Sequence, residues 1–153
     1  MLVTNHVLAG AAIGALTRRP AAALALGVAS HLVMDVIPHW GLPPHLTKPE
    51  RDRRFLQIAR RDGIAGLAAM GAAFAFARGR RLPVLAGMVG AALLDLDKPS
   101  RHFFGRSPFP AALDQFHADI QDGREHPYKM RQEFAVAAGL AAFVAALCAD
   151  RRP

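Results

Sequence analysis

Three residues stand out for the chemistry they could do together: His31, Asp35 and His39, in Ser30-His31-Leu32-Val33-Met34-Asp35-Val36-Ile37-Pro38-His39. On a helix, positions four apart lie on one face, one turn above the other. His31 and Asp35 therefore share a face. Pro38 clashes with the carbonyl four residues earlier, which places His39 at or just beyond the helix end, able to turn back towards that face. The partial negative charge of a helix C-terminus also favours a cation there. Imidazole and carboxylate suit zinc, iron and manganese. A lone buried histidine is more often a hydrogen-bonded core residue. Three ligand-type residues at this spacing within an apolar helix are costly to bury without a metal or a proton partner.

Further candidates recur elsewhere. His6 opens the first apolar stretch, and Asp62 precedes the third. Asp95 and Asp97 end the fourth, in Leu94-Asp95-Leu96-Asp97-Lys98-Pro99, and His117 lies in an amphipathic segment. Two carboxylates two apart cannot share a helical face, so a helix end or turn is expected between Asp95 and Asp97. Pro99 favours such an end, because the residue before a proline is pushed out of the helical region. The expected metal set is His6, His31, Asp35, His39, Asp62, Asp95 and His117, with Asp95 or Asp97 as proton acceptor. Each has a plainer reading. Asp62 could be an acid near a helix start or pair with Arg60 or Arg61. Asp97 could pair with Lys98 or Arg101, and His117 could pack beside Phe116. His45, His102 and His126 fall in loops and read as solvated.

The elements that must position these residues are helical. The chain has 153 residues, 52% apolar and dominated by Ala and Leu, both helix formers. Apolar stretches run over Val7–Leu16, Pro20–Ile37, Gly63–Ala77, Leu82–Leu94 and Phe134–Ala149. The charged run Glu50–Asp62 could form the first turns of the third helix. Ala112, Leu113, Phe116 and Ile120 mark a sixth helix over Pro110–Gln121. Pro38–Pro49, Pro99–Pro110 and Gln121–Pro127 read as loops. The expectation is all-α: one domain over 1–153, a compact bundle of five to six short Ala/Leu-rich helices, either soluble or membrane-embedded. Gly10-x-x-x-Gly14 fits close helix contact.

Composition excludes several classes. The single Cys148 rules out an intramolecular disulfide and a multi-Cys zinc site. There is no Gly-x-Ser-x-Gly nucleophile motif and no phosphate-binding glycine loop. The formal charge of +7 suits an anionic substrate or lipid surface. The arginine pairs lack interleaved aromatics, so nucleic acid is not favoured. No stretch reaches about 18 uninterrupted apolar residues, the usual length of a spanning helix. Arginine flanks nearly every stretch and gives no clean orientation. Met1–Leu16 lacks a basic leader and a clear cleavage site, so no signal peptide is expected.

Asn5-His6, Ser30-His31-x-x-x-Asp35 and Leu94-Asp95-Leu96-Asp97-Lys98-Pro99 together resemble the inner-membrane-associated, LexA-regulated or LexA-binding metal-dependent hydrolases. The order of the last two segments is reversed relative to that family. The spacing His31-x-x-x-Asp35, with a histidine soon after, is also similar to the ligand helices of zinc-dependent phospholipases C. The resemblances imply a hydrolase of phosphoesters or phospholipids at a bacterial inner membrane, acting through metal-activated water, with zinc the first choice of ion. The alternative is a non-enzymatic small membrane protein with a polar or metal-binding His/Asp core, and the alternative location is the cytoplasm.

Overall fold

A computed structural model describes residues 1–149. Among them are seven α-helices and no strand: α1 (Val3–Thr17), α2 (Pro20–Val36), α3 (Lys48–Phe76), α4 (Arg81–Ala92), α5 (Asp97–Phe104), α6 (Ala111–Gln121) and α7 (Met130–Ala149). A 3-10 turn, Leu94–Leu96, joins α4 to α5, and a second, Pro127–Lys129, leads into α7. The all-α expectation is met, with one helix more than expected.

Local chemistry sets the boundaries. Arg18 takes the left-handed conformation at φ 57°, closing α1 so that α2 can begin at Pro20, where the missing N–H is not needed. Ile37, before Pro38, is extended and ends α2. The charged run is part of α3. Its start is a capping box, with the Thr47 hydroxyl and amide both donating to Glu50 Oε2 at 2.7 and 3.0 Å. The expected loop over Pro99–Pro110 is half helix. Pro99 falls in the first turn of α5, where no intrahelical N–H is lost, and Gly105 at φ 71° closes that helix.

Close backbone contact builds the centre. α4 packs against both α1 and α2, and α3 and α7 flank α1. A Cβ on Gly10 would collide with the Gly87 carbonyl, and one on Gly14 with that of Pro83. Gly27 meets the Gly87 carbonyl in the same way, and Gly90 the Leu24 carbonyl. The Gly10-x-x-x-Gly14 pair is therefore a helix-contact face, as its spacing suggests. Val7, Ala11, Ala15, Ala73, Val84 and Met88 form the apolar core beside it.

The outer surface is unusually apolar. Leu67 and Phe76 of α3 are each 70% exposed, Val33 of α2 is 64% and Phe134 of α7 is 63%. Pro127–Ala149 is long and apolar enough to cross a membrane by length and composition, whereas α1, α2 and α4 are apolar but shorter. An Ala-lined groove of about 1280 Å³ opens between α3 and α7 over α1.

Gly87 is the test of this packing. Gly87→Ala puts a methyl against the Gly10 carbonyl and forces α1 away from α4. We expect a loss of about 1–3 kcal/mol, read as a lowered midpoint in thermal unfolding followed by circular dichroism. An unchanged midpoint would show that the helices are not held this closely.

Candidate metal centre

α1 supplies no side-chain cap of its own. Two carboxylates from other helices do the work. Asp62 of α3 accepts from the amides of Val3 at 2.6 Å and Thr4 at 3.3 Å, and from the Thr4 hydroxyl at 2.6 Å. Glu133 of α7, 2% exposed, accepts from the Leu2 amide at 3.1 Å and from Asn5 Nδ2 at 2.7 Å through Oε2. Its Oε1 accepts from the Trp40 amide at 3.0 Å. Negative groups here satisfy orphan amides and complement the helix dipole. They fix the start of α1, and with it His6.

Around that point lies a buried polar cluster. His31, Asp35 and His117 approach from two helices. His31 Nε2 lies 2.9 Å from His117 Nε2. Asp35 Oδ2 lies 3.1 Å from each of these nitrogens. Gln121, one turn beyond His117 on α6, donates to Asp35 Oδ2 at 2.6 Å. On the other oxygen, Oδ1, the Met1 α-amino group donates at 3.0 Å. His31, Asp35 and His6 have no measurable exposure.

The tautomer of His31 follows from its neighbour. Its Nδ1 stands 2.7 Å from the Ala91 carbonyl, which accepts only, so Nδ1 carries the proton. In the neutral ring Nε2 is then a bare lone pair. That lone pair faces a second imidazole nitrogen and a carboxylate oxygen. The single proton available from a neutral His117 cannot satisfy all three edges of the triangle, so an extra proton or a cation has to lie among them. Ligand atoms on a tetrahedral ion with 2.0–2.1 Å bonds stand about 3.3 Å apart, within a few tenths of the edges seen here. A ring nitrogen donating to a backbone carbonyl while its partner nitrogen points at the ion is the usual outer support of a metal-binding histidine.

His6 stacks on His31, with ring centroids 4.0 Å apart. Its Nε2 is 3.2 Å from Asp35 Oδ1 but outside hydrogen-bonding geometry, and both of its ring nitrogens are buried without a hydrogen-bond partner. Two overlapping groups could hold a metal ion, His31–Asp35–His117 and His6–His31–Asp95. Asp95, with its side chain 12% exposed, accepts from Lys98 Nζ at 2.7 Å. Burial pushes the Asp95 carboxyl up, but the Lys98 ammonium, with His6 and His31 behind it, more than reverses this and holds it below the usual carboxylate range.

Five of the seven expected ligands thus come together: His6, His31, Asp35, Asp95 and His117. Asp62 does not join them; it sits within α3 and caps α1. His39 is buried beyond the end of α2, as its place after Pro38 implies, but outside both groups. Its Nδ1 donates to the Ile37 carbonyl at 2.8 Å, leaving Nε2 without a partner. Burial, with the Met1 amino group nearby, lowers its pKa. Its backbone pairs with Arg124 and His126, tying the end of α2 to the segment before α7. Asp97 faces Lys98 at 3.5 Å and Arg101 at 3.9 Å, the plainer of its two readings. Asp95 lies in the 3-10 turn and Asp97 opens α5, so the expected turn falls at Asp95 itself.

Two residues were not visible as site members in the sequence, Gln121 and Glu133. Gln121 could have been found from its spacing, four after His117. Glu133 is an acid in the first turn of a long apolar helix, and that was the signal to follow. No family model, no curated protein and no solved structure matches the chain.

Ligands and caps separate in one experiment. Elemental analysis of purified protein should show metal in the wild type and its loss in His31→Ala, Asp35→Ala and His117→Ala. Asp62→Ala should keep its metal while losing about 1–2 kcal/mol of stability, the usual range for a helix cap. Gln121→Leu should keep the fold and weaken metal affinity about 10- to 100-fold, as loss of an outer partner does. Equal metal content in every variant would remove the site.

Proposed function

We propose that this chain is a membrane-embedded metal-dependent hydrolase, acting on a phosphoester or phospholipid. The observation that carries the proposal is the triangle of His31 Nε2, Asp35 Oδ2 and His117 Nε2, with the His31 tautomer set by the Ala91 carbonyl. Two imidazoles and a carboxylate favour zinc, with iron or manganese as the other choices. Three protein ligands leave a fourth position for water or substrate, as catalytic rather than structural sites do. A bound divalent ion supplies Lewis acidity and a nucleophile at neutral pH.

The chain's own groups do the rest. Gln121 and the Ala91 carbonyl hold Asp35 and His31 in their ligating orientation. Asp95, at the edge of the cluster and kept ionised by Lys98, would be the carboxylate placed to take up the proton that the attacking water gives up. The Lys98 side chain, 34% exposed, would face an anionic group of the substrate. The resemblance to the LexA-regulated hydrolases and to phospholipases C points to the same substrate class.

The membrane part rests on the apolar outer surface and on the length of Pro127–Ala149. Leu67, Phe76, Val33 and Phe134 would face acyl chains, and the groove between α3 and α7 would be filled by them. The ionisable cluster is turned inward, the arrangement that hydrocarbon demands.

The assay uses the metal-loaded protein in detergent with nitrophenyl phosphoesters and short-chain phospholipids. Hydrolysis is expected, with loss on chelation, recovery on adding zinc and none in His31→Ala. A loaded wild type that turns over neither class defeats the hydrolase reading and leaves metal binding as the alternative. In cell fractionation the protein should stay in the membrane through a carbonate wash. Release into the wash would place it on the surface or outside the bilayer.

A further inference from the structure

We infer that the centre holds one metal ion, because the Lys98 ammonium occupies the charge position that a second ion would take. This deepens the metal reading above and depends on it.

The ingredients of a second site are present. His6 is buried with neither ring nitrogen in a hydrogen bond, its Nε2 lying 3.2 Å from Asp35 Oδ1. Asp95 brings a carboxylate within ligand reach of His6 and His31. Two-metal hydrolytic centres place their ions about 3.5–4 Å apart and commonly share ligands between them. With its Nδ1–H on the Ala91 carbonyl, His31 offers only Nε2, to the first ion, so a second ion would rest on His6 and Asp95.

What fills the gap is the lysine. Lys98 Nζ lies 2.7 Å from Asp95 Oδ1 and 3.5 Å from Asp97 Oδ1. An ammonium at that distance neutralises Asp95 and repels a divalent ion. Unlike a metal, it is covalently attached and always present. The 3-10 turn Leu94–Leu96 and the first turn of α5 fix this geometry, since Asp95 and Lys98 are three apart across their junction.

Metal stoichiometry tests the assignment. Purified full-length protein is dialysed against excess Mn2+, and bound ions are counted by elemental analysis and electron paramagnetic resonance. The wild type should bind one ion, with the spectrum of an isolated centre. Lys98→Met should bind two, with the line broadening of two neighbouring ions. Lys98→Arg keeps the charge and should stay at one. Adding Asp95→Asn to Lys98→Met should return the count to one. Two ions in the wild type, or one in a folded Lys98→Met, overturns the inference while leaving the metal centre in place. No ion in the wild type defeats the metal reading and this inference together. The wild-type count stands as a test even if Lys98→Met does not fold.

Discussion

The Asp35 carboxylate is the point on which the site closes. It is wholly buried, and groups from separate parts of the chain converge on it: the Met1 amino group, His6, His31, His117 and Gln121. A buried carboxylate is tolerated only when its oxygens are paired. That requirement reaches outwards. α6 lies against α2, where His117 and Gln121 both reach Asp35, and its Asp114 pairs with Arg101 of α5. The start of α1 is drawn to the same place. The demand for charge compensation at one carboxylate thus orders elements that apolar packing alone would leave loosely placed.

The glycine contacts make this convergence possible. His6 on α1, His31 on α2 and Asp95 just after α4 can meet only if the three helix axes run close together. Gly10, Gly14, Gly27, Gly87 and Gly90 remove the side chains that would hold them apart. The Ala91 carbonyl that fixes His31 lies on α4, one turn from Gly87. The same surface that brings α4 against α2 therefore sets the tautomer of a candidate ligand. Packing and site chemistry are the same constraint seen at two scales, which is why a methyl on Gly87 is expected to disturb both.

Much of this was legible in the sequence where local rules decide it. The spacing of His31 and Asp35, the break at Pro38, and the two-residue interval between Asp95 and Asp97 are read from helix geometry, and the structure follows them. The misreadings came from partners distant in sequence. Asp62 looks like a ligand or an acid near its own helix start, whereas it caps a helix 58 residues away. Nothing local to Asp62 reports that. α5 was hidden because Pro99 reads as a helix breaker, when a proline in a first turn breaks nothing. Glu133 was passed over because the helix around it is apolar, although a lone acid in such a helix has to be answered by donors from elsewhere.

Where charge sits in the bundle follows from the same reasoning. Arg18, Arg19, Arg78 and Arg80 occupy the turns between α1 and α2 and between α3 and α4, and Arg81 opens α4, at the end of α1 opposite His6. The carboxylates that cap α1, and the cluster around Asp35, lie at the other end. Between them the helices present mainly Ala, Gly, Val and Leu, inside and out. A cation bound by His31, Asp35 and His117 would therefore lie near one end of the apolar span, on the side of Asp95 and the partly exposed Lys98 side chain but shielded from water on its other sides. Placing the site there reconciles two opposed needs. The ligands stay dry enough for their charges to interact strongly, and a polar substrate group can still approach from the side where Lys98 is exposed.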